Sequence, residues 1–127
     1  DEGVIAAVHA GWRGLVAGVV DRAVEAMTKL GATEVVGALG PCIHAPCYEF
    51  SETDLDVVAH ELGDGVRGVT RGGRPALDVP AAVRAALVRN GVELVHDEGI
   101  CTACSDEHWS HRARGDLQRQ AVVVWLP

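Results

Sequence analysis

Apolar residues in this chain arrive as two kinds of stretch that take turns along it. Some are short unbroken runs and others are stripes at helical spacing. A short run bounded by turn residues reads as a buried strand, and a stripe reads as an amphipathic helix. Strands alternating with helices argue for a sheet covered by helices. Runs with no polar alternation argue for a sheet buried on both faces. The expected fold class is therefore α+β, with an α/β-like order of elements. No linker rich in Ser, Pro or Gly divides the chain, so its 127 residues are read as one domain.

Val4–Val8 reads as the first strand, ended by His9-Ala10-Gly11. Over 15–30, Leu15, Val16, Val19, Val20, Ala23, Val24, Met27 and Leu30 make one apolar stripe, with Gly31 placed to cap the helix. A second strand is expected over 34–39, then a turn over 40–46 and a short apolar stub, Cys47–Phe50. Ser51 with Asp54 resembles a capping box for a helix over 52–62 ending at Gly63. The Gly- and Arg-rich stretch 64–74 reads as an exposed loop. Asp78 caps a helix over 79–90 that carries Pro80 in its first turn. Val92–His96 is a strand, 99–109 is irregular, and 120–126 is a last, almost wholly apolar strand.

Charge narrows the function classes. The net charge is −7, from 11 basic and 18 acidic residues. An acidic chain is repelled by a phosphate backbone, and aromatic residues are only 4%, so a nucleic-acid partner is not expected. No run reaches the ~18 apolar residues of a membrane span, so no membrane partner is expected either. No basic segment leads an apolar stretch as in a secretory signal. A strand this close to the first residue suggests a processed product or part of something longer. Four Cys in two close pairs, Cys42/Cys47 and Cys101/Cys104, read as reduced thiols in a cytoplasm.

Three places carry chemistry. His9-Ala10-Gly11-Trp12-Arg13-Gly14 lies between a strand and a helix, where α/β proteins place ligands. Gly11 and Gly14 let backbone approach an anion, and Arg13 adds bidentate charge. The plainer reading is a Gly turn with a solvent-facing Arg. The cysteines offer either a four-sulfur zinc site, a catalytic thiol or small buried thiols. The unequal pair spacings lead us to expect neither a Cys101–Cys104 disulfide nor a four-sulfur zinc. Ser110-His111-Arg112 is either a site loop or a polar approach to the last strand.

Four motifs in order then carry a resemblance. They are Val8-His9-Ala10-Gly11-Trp12-Arg13-Gly14, Leu39-Gly40-Pro41-Cys42-Ile43 with Cys47-Tyr48-Glu49, Cys101-Thr102 with Cys104, and Ser110-His111-Arg112. Together they resemble the laccase-domain or multicopper polyphenol oxidase family. That family is also described as peptidoglycan editing factor and includes purine nucleoside phosphorylases. The resemblance implies mixed β-sheets with helices, a cysteine hydrolase fold of the cytotoxic necrotizing factor type, here truncated at the N-terminus. It implies a cytoplasmic enzyme whose zinc is held by two His and one Cys, copper being the older assignment. The implied activities are phosphorolysis of adenosine, inosine, guanosine and methylthioadenosine, and deamination of adenosine. His9 matches one zinc ligand; the others belong to motifs upstream, in an N-terminal half that would be the missing partner. Gly11, Arg13, Gly14, His111 and Arg112 are the expected contacts to nucleoside and phosphate. The 127 residues alone are expected to be inactive. Alternatives are a hydrolase editing a peptidoglycan precursor, and a non-catalytic structural or zinc-binding fragment. His44-Ala45-Pro46 departs from the Gly-Pro-rich form usual at that turn.

Overall fold

The computed structural model describes residues 3–126. The elements run α1 (Trp12–Val16), α2 (Val19–Lys29), β1 (Val36–Leu39), α3 (Glu52–Leu62), β2 (Arg67–Val69), β3 (Pro75–Leu77), α4 (Val79–Arg89), β4 (Glu93–Asp97) and α5 (His111–Arg114). Single 3-10 turns at Ala45–Cys47 and Asp64–Val66 complete the order. β1 and β4 pair in parallel, with a register shift between Gly37 and Ala38. β2 and β3 form an antiparallel hairpin, Gly68 opposite Ala76.

The core sits among α1, α3, α4 and the β2–β3 hairpin. Leu15, Leu55, Val58, Val66, Leu77 and Val83 are buried there, with Tyr48 and Phe50 from the loop before α3. Two of the expected helices form almost as read. Ser51 Oγ accepts from the Asp54 amide at 3.1 Å and starts α3. Asp78 Oδ1 accepts from the Ala81 amide at 2.9 Å and starts α4, with Pro80 in the first turn. Each bond satisfies an amide that the helix itself leaves unpaired.

Several readings are corrected. The helix expected over 15–30 is two helices, because Gly18 takes φ 75° between them. That left-handed residue resets the stripe: Leu15 and Val20 are buried, but Leu30 is 73% exposed. The stretch 64–74 is not a loop throughout. It holds β2 and the start of β3, joined by a turn in which the Thr70 amide donates to Arg74 O at 2.8 Å. Phe50 donates to Pro75 O at 3.0 Å, so the Cys47–Phe50 stub runs beside this hairpin.

The sheet is not buried on both faces. β1 and β4 alternate between exposed and half-buried residues, because only one side is covered. The two outermost apolar runs, 4–8 and 120–126, form no strand and pair with none among the described residues. Ile5 and Val8 are exposed, as are Val122–Leu126. An apolar run becomes a strand only where another edge accepts its hydrogen bonds.

Asp21 ties α2 to the end of α4. Arg89 holds its carboxylate through Nη2 at 2.6 Å and Nε at 3.1 Å, and Asn90 Nδ2 donates at 3.1 Å. The Arg89 contact, with help from Asn90, holds the Asp21 carboxyl below its ordinary value. A lowered carboxyl stabilises the fold above the unfolded value of about 3.9, and loses that contribution as pH falls through the folded value. Both side chains are more than a third exposed, so screening limits the gain to about 0.3–1 kcal/mol. Asp21→Asn is expected to lose that amount at pH 7 and nothing at a pH well below 3.9, read from urea melts at the two pH values.

Candidate functional site

The His9–Gly14 turn leads directly into α1. His9 itself is exposed and follows an irregular segment, not a strand. The expectation that it ends a strand is therefore corrected. Its ring folds back over Gly11: a Cβ at Gly11 would stand 3.1 Å from His9 Nε2. A side chain there would push the imidazole away, which gives Gly11 a packing reason besides anion approach. α1 is only five residues long, too short to focus a full helix dipole, so anion binding at this turn would rest on Arg13 and local amides. The Arg13 guanidinium lies 4.5 Å over the Trp12 ring.

From Trp12 a run of rings crosses the molecule. Trp12 meets Phe50 edge-on at 5.3 Å, and Phe50 meets Tyr48 edge-on at 5.3 Å. Arg112 caps the far end, its guanidinium 4.9 Å over the Tyr48 ring. Each geometry is favourable for the ring quadrupole. Arg13 and Arg112, 99 positions apart in sequence, thus flank one aromatic run. Beside it, Cys47, Glu49, Phe50, Ser51, Arg112 and Ala113 line a hollow of about 630 Å³. It is open to solvent along its length, a shallow groove and not an enclosed cavity. His111 is exposed on the same short helix as Arg112.

Asp116, which the sequence reading did not single out, and Arg114, one of the arginines close behind Ser110-His111-Arg112, hold this corner together. Asp116 Oδ2 accepts from the Ser110 amide at 2.7 Å and from Arg114 Nε at 3.0 Å. Arg114 also donates to Ala103 O at 3.2 Å, to Thr102 O and to His108 O. α5 is thereby fastened to the Cys101–Cys104 turn. Nothing in the spacing of Arg114 and Asp116 distinguishes them from solvated charges before the fold is seen.

The four cysteines are free thiols. Their grouping corrects the pairwise reading: Cys47, Cys101 and Cys104 place their sulfurs within 4.8 Å of one another, while Cys42 stays outside. Cys47 Sγ and Cys104 Sγ stand 3.3 Å apart and share a hydrogen bond. That bond, followed by burial, pushes the Cys47 thiol up to about 11. Cys104 is lowered, first by the same bond and then by Arg71, whose Nη2 donates to its sulfur at 3.1 Å. Burial, followed by the charge of Asp97, pushes Cys42 up to about 11. His108 engages Ser105 Oγ at 2.8 Å and joins no sulfur group among the described residues.

A zinc site of two His and one Cys does not fit the residues present. Among the described residues, His9 belongs to no group of three metal-capable side chains. One exposed imidazole cannot define a tetrahedral site. A second hollow, of about 280 Å³, lies away from His9 between Pro46, Asp78, Arg84 and Asp97.

The fold is thus a small mixed α/β module with one parallel and one antiparallel pair, carrying an arginine-flanked aromatic run and a three-thiol cluster. Across residues 1–127 the chain matches the family described as multi-copper polyphenol oxidoreductase laccase, and it belongs to that family. A purine nucleoside phosphorylase of Streptomyces coelicolor is 44% identical over 126 residues, covering 98% of this chain and 52% of that protein. A purine nucleoside phosphorylase of Corynebacterium glutamicum is 33% identical, covering 100% of this chain and 52% of that protein. The chain spans about half the length of these curated relatives. Two crystal structures share the fold. Hypothetical protein YfiH of Bacillus licheniformis has a TM-score of 0.72 at 23% identity, covering 84% of this chain and 43% of that one. Protein NMB0706 of Neisseria meningitidis has a TM-score of 0.72 at 29% identity, covering 85% and 46%. No helix among the described residues is long and apolar enough to cross a membrane.

Proposed function

We propose that this chain is one domain-sized part of a cytoplasmic purine nucleoside phosphorylase and that it supplies the oxyanion-binding wall of the active site. The observation that carries this reading is the aromatic run with Arg13 at one end and Arg112 at the other. In phosphorolysis a phosphate oxygen bonds to the ribose C1′ as the bond from C1′ to the purine nitrogen breaks, and the base leaves with a proton. A guanidinium offsets phosphate charge through two parallel N–H donors and fixes the attacking oxygen. The half-buried Trp12 ring offers apolar surface to a purine, while the buried Tyr48 ring holds Arg112 in place. Gly11 and Gly14 offer their backbone amides to the anion at the turn, where the His9 ring and Val19 already pack, and His111 stands beside Arg112 for the sugar or phosphate. The substrates are adenosine, inosine, guanosine and methylthioadenosine, with adenosine deamination as a side activity.

His9 then serves as one of three zinc ligands, the other two lying outside the 127 residues; copper belongs to the family's description. The same reading places the fold among cysteine hydrolase folds of the cytotoxic necrotizing factor type.

The test is complementation. The chain alone is expected to show no phosphate-dependent release of purine base. Mixing it with the portion of the Streptomyces coelicolor relative that the match leaves uncovered is expected to restore release, with hypoxanthine from inosine followed by chromatography. Turnover by the chain alone, or none in any combination that forms a stable complex, overturns the proposal.

A further inference from the structure

We propose that Cys47, Cys101 and Cys104 form a thiolate site for one divalent cation of the zinc class, separate from His9. The Cys47 and Cys104 sulfurs lie 3.3 Å apart, and all three sulfurs lie within 4.8 Å of one another. Tetrahedral zinc with Zn–S bonds of about 2.3 Å sets neighbouring sulfurs about 3.8 Å apart, inside that span. Small rotations of three side chains suffice to close the site.

The backbone already fixes all three positions. Cys101 is held by a parallel bridge to Cys42, in which the Thr102 amide donates to Cys42 O at 3.0 Å. Cys104 follows on a turn in which its amide and that of Ser105 both donate to Cys101 O, at 3.0 and 3.1 Å. This two-residue spacing is that of a zinc knuckle. Cys47 ends the 3-10 turn, its amide donating to His44 O at 2.9 Å. Arg114 braces the Cys101–Cys104 turn from α5.

The surroundings suit thiolates. The His44 amide donates to Cys101 Sγ at 3.4 Å, and Arg71 donates to Cys104 Sγ at 3.1 Å. Donors aimed at ligand sulfurs orient them and stabilise their negative charge. Three thiolates around a dication leave one net negative charge, which the Arg71 guanidinium offsets. Each thiol that ligates gives its proton to solvent as its sulfur bonds the metal. The fourth position opens toward solvent beside the exposed Cys104, where a water completes the shell.

The inference stands independently of nucleoside cleavage, because its readouts are metal content and a spectrum. The reduced 127-residue chain is stripped of metal and titrated with zinc against a chromophoric chelator, and in parallel with cobalt(II). One zinc per chain and a thiolate-to-cobalt charge-transfer band are expected. Arg71→Ala should weaken zinc about ten- to a hundredfold, as loss of an outer-shell donor does, and Cys104→Ser should weaken it further. Cys42→Ser, outside the cluster, should leave affinity unchanged. Substoichiometric zinc in the reduced chain overturns the site, as does Cys42→Ser losing as much affinity as Cys104→Ser. Should a serine variant fail to fold, the cobalt spectrum of the unaltered chain decides: a spectrum without the thiolate band overturns the proposal.

Discussion

Leu15→Ala should lower the unfolding free energy by about 2–5 kcal/mol, whereas Leu30→Ala should change it by less than about 0.5 kcal/mol. Both leucines belong to the one apolar stripe visible over 15–30. In the fold Leu15 is 1% exposed, on α1 against the core, and Leu30 is 73% exposed beyond α2. Truncating the first leaves a cavity that the surrounding helices cannot fully close. Truncating the second removes a side chain that water already surrounds. Against a typical total of about 5–15 kcal/mol the first loss is a large fraction, and it should appear as a marked drop in the urea midpoint. Equal losses at the two positions would mean that the stripe is one continuous buried helix and that Gly18 does not divide it.

That contrast shows what the sequence could and could not reveal. Features decided within a few residues were legible: the Ser51 and Asp78 caps, the glycines that end α3 and follow α4, and the cores of α3 and α4. Features decided by distant partners were not. Three-residue strands such as β2 and β3 carry too short a period to stand out, and they exist because the hairpin bonds to itself and to Phe50. The runs 4–8 and 120–126 have strand-like composition, but composition does not supply an edge to pair with.

The candidate site divides in the same way. His9, Arg13 and Arg112 stood out through their motifs. That Trp12, Phe50 and Tyr48 join Arg13 to Arg112 depends on how α1, the 47–50 segment and α5 pack. Cys101 and Cys104 were readable as a pair from spacing. Their third partner could have been Cys42 or Cys47, and only the 3-10 turn at Ala45–Cys47 brings one of them across.

The aromatic run sets the most demanding test of the proposed activity. In the complemented enzyme, Arg13→Ala should raise the phosphate concentration for half-maximal cleavage about ten- to a hundredfold, and Arg112→Ala should raise the nucleoside concentration by a similar factor. Loss of one charge-assisted contact costs about 1.5–3 kcal/mol, and about 1.4 kcal/mol is tenfold. Lysine at either position should recover only part of the loss, because an ammonium keeps the charge but lacks the planar fork that stacks on a ring and grips two oxygens. The double variant carries the geometric information. Three rings separate the two guanidiniums, and neither contacts the other's ring partner. Groups so separated, with no shared contact, lose free energy additively, so the double variant should multiply the two single effects. A double variant no worse than the weaker single one would place both arginines on the same phosphate and require the ring run to rearrange when the rest of the enzyme docks. Unchanged phosphate dependence in Arg13→Ala together with unchanged nucleoside dependence in Arg112→Ala would leave the arginines as partners of Trp12 and Tyr48 alone, with the substrates bound elsewhere.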